Sequence, residues 1–232
     1  MPTALKLDAL HRPPSQSQLV YDRLKQVLRD GEVGGGSLLS EVDLARRLGV
    51  STTPVHEAVV RLASEGFVEA LPRRGVRVVH LTARDIAEIF ELREALEAEV
   101  VRLVLARAPA DSLEALRSCV AAAEAALARS DYSAFNAADM ALHDALARAA
   151  GNRRLQQALN DLGIWVQRIR LATVANQFRL PGRPAKAQEQ HGQLLERLLR
   201  GDGTAEALIR EHISSLKDEI LSHMQANRIE FI

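Results

Sequence analysis

The sequence predicts a mostly α-helical chain in two parts: a short helical unit that ends in a β-hairpin, then an all-helical antiparallel bundle. Three observations carry this reading. The composition is 47% hydrophobic but only 3% aromatic, and rich in Ala and Leu, which suits closely packed helices. Two β-rich segments, "FVEAL" and "VRVVHL", flank the turn "PRRG". From "LTARDIAEIF" onward no strand pattern recurs, and short breaks interrupt long helical periods.

Taken in order, the first 15 residues, ending in "HRPPS", are polar and proline-containing and read as an arm. In "QLVYDRLKQVLRDGEV" the residues Leu19, Val20, Leu24 and Leu28 fall at helical spacing, and Gly31 ends the helix. After the glycines of "GEVGGGSLL", Ser40 can cap a second helix, with Asp43 as the return partner of a capping box. Leu44 and Leu48 form its inner face. A turn at Gly49 leads to "STTPVHEAVVRLASEG", where Ser51 or Thr53 can cap and Pro54 is tolerated in the first turn. Val55, Ala58, Val59 and Leu62 make one buried stripe, so Thr52, Thr53 and His56 face outward. Helix, helix, turn, helix and hairpin together make a winged helix-turn-helix. In the second part "APADS", "RSDYS", "AGN", "NQFRLPGRP" and "GDG" divide the chain into about six helices.

Charge excludes little. There are 30 basic and 30 acidic residues, and the small asymmetry between the two parts does not argue for nucleic acid by itself. The N-terminal residues lack the apolar run of a signal peptide, and no apolar run approaches a membrane span. A cytoplasmic protein with no membrane partner is expected. The single Cys119 lies among alanines, where a small core residue is expected.

Chemistry gathers in the second part. Asp139 and His143 are four residues apart in "ADMALHDAL", about 40° apart around a helix and one turn along it. His191 lies ten residues before the Gly201-Asp202-Gly203 loop and His212 nine after it, so an antiparallel hairpin places them level. One carboxylate and three imidazoles suit a divalent transition metal such as zinc, nickel or manganese.

The stretch "LLSEVDLARRLGVSTTPVHEAVVRLASEGFVEALPRRGVRV" resembles the DNA-binding domain of the GntR family of bacterial transcription regulators. The remainder resembles that family's FadR-type effector domain, called FCD, and the resemblance runs from about Gln16 to Ser222. It implies residues 1–15 as an arm, 16–81 as the winged DNA-binding domain, 82–225 as an FCD-type helical bundle and 226–232 as a tail. It further implies a homodimer on double-stranded operator DNA, an inverted repeat, and no enzymatic activity. The family's metal pattern of one Asp and three His falls on Asp139, His143, His191 and His212, with zinc the first choice. Its Arg followed four residues later by Glu falls on Arg93 and Glu97, and makes Arg93 the residue to meet a small carboxylate effector.

The recognition helix departs from the family. Members commonly read Ser-Arg-Thr-Pro-Val-Arg-Glu-Ala where this chain has Thr52 and His56 in place of the two arginines. Neither residue gives arginine's bidentate contact to guanine. The expected DNA contacts are therefore Thr52, Thr53 and His56, with Arg73, Arg74, Gly75 and Arg77 in or beside the hairpin turn, and Arg46 and Arg47 as weaker candidates. Two other readings fit the same residues: a regulator that responds to metal alone, and a metal-dependent hydrolase.

Overall fold

The structure, a computed structural model, describes residues 13–71, 74–174, 180 and 182–230. Helix α1 (Gln16–Arg29) begins at Ser15, whose hydroxyl accepts the Gln18 amide, and buries Val20, Tyr21, Leu24 and Leu28. Leu19, which shares their helical spacing in the sequence, is 55% exposed. The stripe is set by Val20, Leu24 and Leu28 at intervals of four, and one residue back is about 100° round the helix.

Strand β1 (Leu38–Leu39) was not anticipated. Two residues beside a glycine run show no alternation for a period to reveal. Ser40 caps α2 (Glu41–Leu48) by accepting the Asp43 amide at 3.4 Å. The capping box is not completed, because the Asp43 carboxylate turns instead to Arg46 and Arg47. Gly49, at φ +68°, ends α2. Helix α3 (Thr52–Ser64) has Ser51 as N-cap and buries Val55, Ala58, Val59 and Leu62, as the periodicity predicts. The hairpin strands are β2 (Val68–Leu71) and β3 (Gly75–Val78), and the antiparallel sheet has the order β1-β3-β2. Gly75 has φ +93°, and the Leu39 carbonyl lies where a side chain would begin. Glycine at this position thus permits both the turn and the β1–β3 pairing.

Beyond the hairpin the described residues form six helices: α4 (Ala83–Arg107), α5 (Ala110–Ala128), α6 (Tyr132–Ala149), α7 (Arg153–Val174), α8 (Arg183–Arg200) and α9 (Ala205–Ala226). Thr82 and Asp85 form a complete capping box at the start of α4. Gly201, at φ +66°, closes α8, and the loop to α9 makes the two helices a packed hairpin. Helix α4 packs on α7 and α9, α5 on α6 and α8, and α6 on α7. In α9 the residues Ile209, Ile213 and Ile220 are buried, each contributing roughly 1.5–3 kcal/mol of apolar transfer. His212 lies on this same buried stripe, so the packing that holds α9 also aims its imidazole inward.

The chain divides into two compact units between Val79 and His80. No described helix is long and apolar enough to cross a membrane.

Candidate metal centre and DNA-facing helix

Three helices bring His143, His191 and His212 together, with a ligand-type atom of each within 4.8 Å of the others. The ring centroids are 5.4 Å (His143–His191), 5.5 Å (His143–His212) and 4.6 Å (His191–His212) apart. The level pairing across the α8–α9 hairpin gives a distance of 3.2 Å between His191 Nε2 and His212 Nε2. Asp139 lies at the edge of the group: its Oδ1 is 3.7 Å from His191 Nε2 and its Oδ2 3.8 Å from His143 Nε2. The Asp139 carboxylate is itself engaged by Arg170 of α7.

The outer nitrogens of two rings have fixed partners. His143 Nδ1 meets Glu97 Oε2 of α4 at 2.5 Å, and His212 Nδ1 meets Gln190 Oε1 of α8 at 2.9 Å. An Nδ1–H donated to either acceptor leaves the Nε2 lone pair turned toward the centre, the arrangement in which a metal-binding histidine is oriented by its outer neighbour. His143 Nε2 is buried and has no hydrogen-bond partner among the described residues. Burial pushes the pKa of all three rings down, and for His191 and His212 it does so strongly, with the neighbouring imidazoles and arginines adding to the effect. Neutral imidazoles are the form that binds a cation, so the donor set fits a divalent transition metal.

Arg93 and Glu97 are both buried, not on a solvent face as an ordinary helical charge pair would be. Arg93 Nε donates to Glu97 Oε1 at 2.6 Å. Burial pushes the Glu97 carboxyl up, but the Arg93 guanidinium and the hydrogen bond from His143 outweigh it and lower its pKa to about 2. Arg93 Nη1 is buried with no hydrogen-bond partner among the described residues.

Sequence reasoning did not find four residues at this centre. Glu97 was visible only as the partner of Arg93. Gln190 had no signal beyond adjacency to His191. Arg170 and Arg183 stand in helices whose arginines are numerous. Arg183 donates to the His212 carbonyl and the Ser215 hydroxyl, each at 3.0 Å, and so braces α9 from α8.

In the first unit Thr52, Thr53 and His56 are exposed on the first turns of α3, as expected from the buried stripe. The amides at this helix start have no helical partner and favour an anion. His56 Nδ1 lies 3.1 Å from Glu41 Oε2 of α2. Arg46 and Arg47 pair with Asp43, and Arg77 pairs across the hairpin with Glu69 at 2.7 Å. Arg74 is exposed and has no side-chain partner among the described residues. Arg73 lies outside the described residues.

A winged helix-turn-helix followed by a helical bundle defines a DNA-binding regulator. Residues 16–78 match the model described as "Bacterial regulatory proteins, gntR family", and residues 88–215 match the FCD domain. The chain is 32% identical over 197 residues to the "Probable D-xylose utilization operon transcriptional repressor" of Paenarthrobacter nicotinovorans, covering 84% of each. It is 24% identical over 212 residues to the "HTH-type transcriptional repressor RspR" of Escherichia coli K12, covering 91% of each. Among solved structures, E. coli McbR/YncC superposes with a TM-score of 0.74 at 21% identity, over 93% of this chain and 100% of that one. The chain belongs to the GntR family, with an FCD domain, and is a transcription regulator, not an enzyme.

Proposed function

We propose that the protein grips an inverted-repeat operator as a homodimer through residues 16–81, and that a small organic acid, sensed at a metal site within residues 82–225, controls this grip. The observation that carries the reading is the inward turn of His143 and His212, oriented by Glu97 and Gln190, beside His191 and Asp139. A zinc-type ion held there supplies a Lewis-acid position for one oxygen of a carboxylate, and nickel or manganese accept similar donors. Arg93, with Nε committed to Glu97 and Nη1 unpartnered, takes the acid's other oxygen through a charge-assisted hydrogen bond. Occupation of the site changes how α4, α6, α8 and α9 pack, and two-fold symmetry carries the change to a pair of recognition helices. On DNA, Thr52, Thr53 and His56 meet the groove while Arg74 and Arg77 of the wing meet phosphate. That two relatives bear the name repressor favours repression.

Two variants test the reading. Protein purified without chelators or a nickel affinity step contains close to one zinc-type ion per chain by elemental analysis, and His191→Ala loses it and melts at a lower temperature. Arg93→Ala retains the metal but loses the rise in melting temperature that a small organic acid gives the wild type. A wild type that neither carries nor takes up metal removes the metal site from the reading. Normal acid binding by Arg93→Ala removes Arg93 from it.

A further inference from the structure

The first turns of α3 expose three polar side chains, and they differ in how firmly their chemistry is set. Thr52 and Thr53 carry hydroxyls, which rotate to donate or accept and so fix no class of base. His56 is different. Its side chain is 65% exposed, yet Nδ1 lies 3.1 Å and 3.3 Å from the two carboxylate oxygens of Glu41 in α2. The Glu41 carboxylate has no other partner among the described residues, and neither does His56 Nε2.

The place of Glu41 follows from how the two helices are joined. Ser40 caps α2, so Glu41 opens its first turn, where the helix dipole favours a negative charge. Gly49 turns the chain after α2, and α2 packs against α3 with that first turn beside His56. An ionised carboxylate only accepts, so the ring nitrogen facing it has to carry the proton. In a neutral imidazole this leaves a lone pair on Nε2, the nitrogen turned away from Glu41.

We propose that Glu41 is a positioning residue for DNA reading: it holds His56 as the Nδ1–H tautomer, and the Nε2 lone pair selects a base that offers an exocyclic amine in the major groove, cytosine N4 or adenine N6. Guanine presents only acceptors on that edge, N7 and O6, and is rejected, which reverses the preference that arginine gives. This rests on the placement of α3 in the groove given above and deepens it, by naming the class of base at one position of each half-site. It also separates His56 from the wing arginines. A neutral ring paired with a carboxylate brings no positive charge to phosphate, so it contributes sequence preference and not general affinity.

Two measurements on the full-length protein test this at pH 8, above the ordinary histidine range. Long-range proton–nitrogen spectra of histidine-labelled protein, with His56→Ala to assign the ring, report which nitrogen is protonated. The wild type shows Nδ1–H at His56, and Glu41→Gln, whose amide donates as well as accepts, moves the proton toward Nε2. A wild-type ring protonated on Nε2 overturns the proposal. Selection from a pool of random-sequence DNA duplexes then yields a site, and comparison with His56→Ala finds the base pair that His56 reads. In that pair the amine is removed, by purine for adenine or pyrimidin-2-one for cytosine, or the purine N7 is removed with a 7-deaza base. Losing the amine costs the wild type several-fold more affinity than it costs His56→Ala, losing N7 costs both proteins the same, and in Glu41→Gln the amine matters several-fold less. An amine cost no larger in the wild type than in His56→Ala, or undiminished in Glu41→Gln, overturns the tautomer assignment while leaving α3 in the groove. A selection that enriches no inverted repeat overturns the operator reading as well as this one.

Discussion

The two units handle charge in opposite ways. In the helical unit Arg93, Glu97, Asp139 and Arg170 are buried and their partners lie on the same interior surface. In the winged unit Arg46, Arg47 and Arg77 are exposed, and each leans on an acid of its own element or its neighbouring strand. A buried pair is fixed by desolvation and packing, so its geometry is set before any ligand arrives. An exposed pair is worth little and is readily exchanged, which is what a surface must do when it meets phosphate.

The largest test of this contrast removes one carboxylate from each unit. Glu97→Gln leaves the Arg93 guanidinium buried without a counter-charge and is expected to cost about 3–5 kcal/mol. Glu69→Gln, which strips Arg77 of its exposed partner, is expected to stay within about 0.5 kcal/mol of the wild type. Urea unfolding measures both, and the fluorescence of the single tryptophan, Trp165 of α7, reports the helical unit directly. A small loss in Glu97→Gln would show that water reaches the Arg93 pair and that the interior is not sealed.

A second test lies on the DNA side. Arg74 has no carboxylate partner among the described residues, so Arg74→Ala should lower the slope of log affinity against log salt by about one. Arg77 has to leave Glu69 before it meets phosphate. Arg77→Ala should therefore cost less than Arg74→Ala, and Glu69→Gln should raise operator affinity several-fold at low salt, as read by fluorescence anisotropy. Equal effects at the two arginines would mean that the Glu69 pair places no restraint on the wing.

The same contrast explains what could be read from the sequence. Spacings of four within α6, and of ten and nine about the Gly201–Gly203 loop, are geometric statements that packed helices must obey, so three imidazoles converge where counting placed them. The stripe of α3 was legible for the same reason. Gln190 and Arg170 were not, because each reaches the centre through a tertiary contact that no period encodes. Strand β1 was missed because its pairing with β3 is decided by the approach of Leu39 to Gly75, a side-chain absence that looked like turn chemistry alone. Asp43 was misread because two arginines within one turn compete for its carboxylate more strongly than the cap's backbone amide. Leu19 shares the helical spacing of α1 yet is exposed, because a leucine beside a valine leaves the phase of a helix open by one residue.

The smallest effect concerns the anchor behind α3. Tyr21 donates its hydroxyl to Glu65 at 2.7 Å, Lys25 approaches the same carboxylate at 2.9 Å, and Arg61 lies 3.6 Å over the Tyr21 ring. This ties α1 to the end of the recognition helix. Burial pushes the Glu65 carboxyl up, but the hydrogen bonds from Lys25 and Tyr21 prevail and leave its pKa below the ordinary 4.5. The sign follows from linkage: a carboxyl with a depressed folded pKa contributes stability that is complete above the unfolded value and fades as pH falls through the folded one. As pH falls from about 5 through the folded value, the wild type should therefore lose its advantage over Glu65→Gln, whose side chain does not titrate. Because Glu65 is part-exposed the difference should be small, and urea midpoints of the two proteins measured side by side would show it. If the difference between them stays constant across that range, Glu65 acts through its hydrogen bonds alone and its charge does not hold the recognition helix.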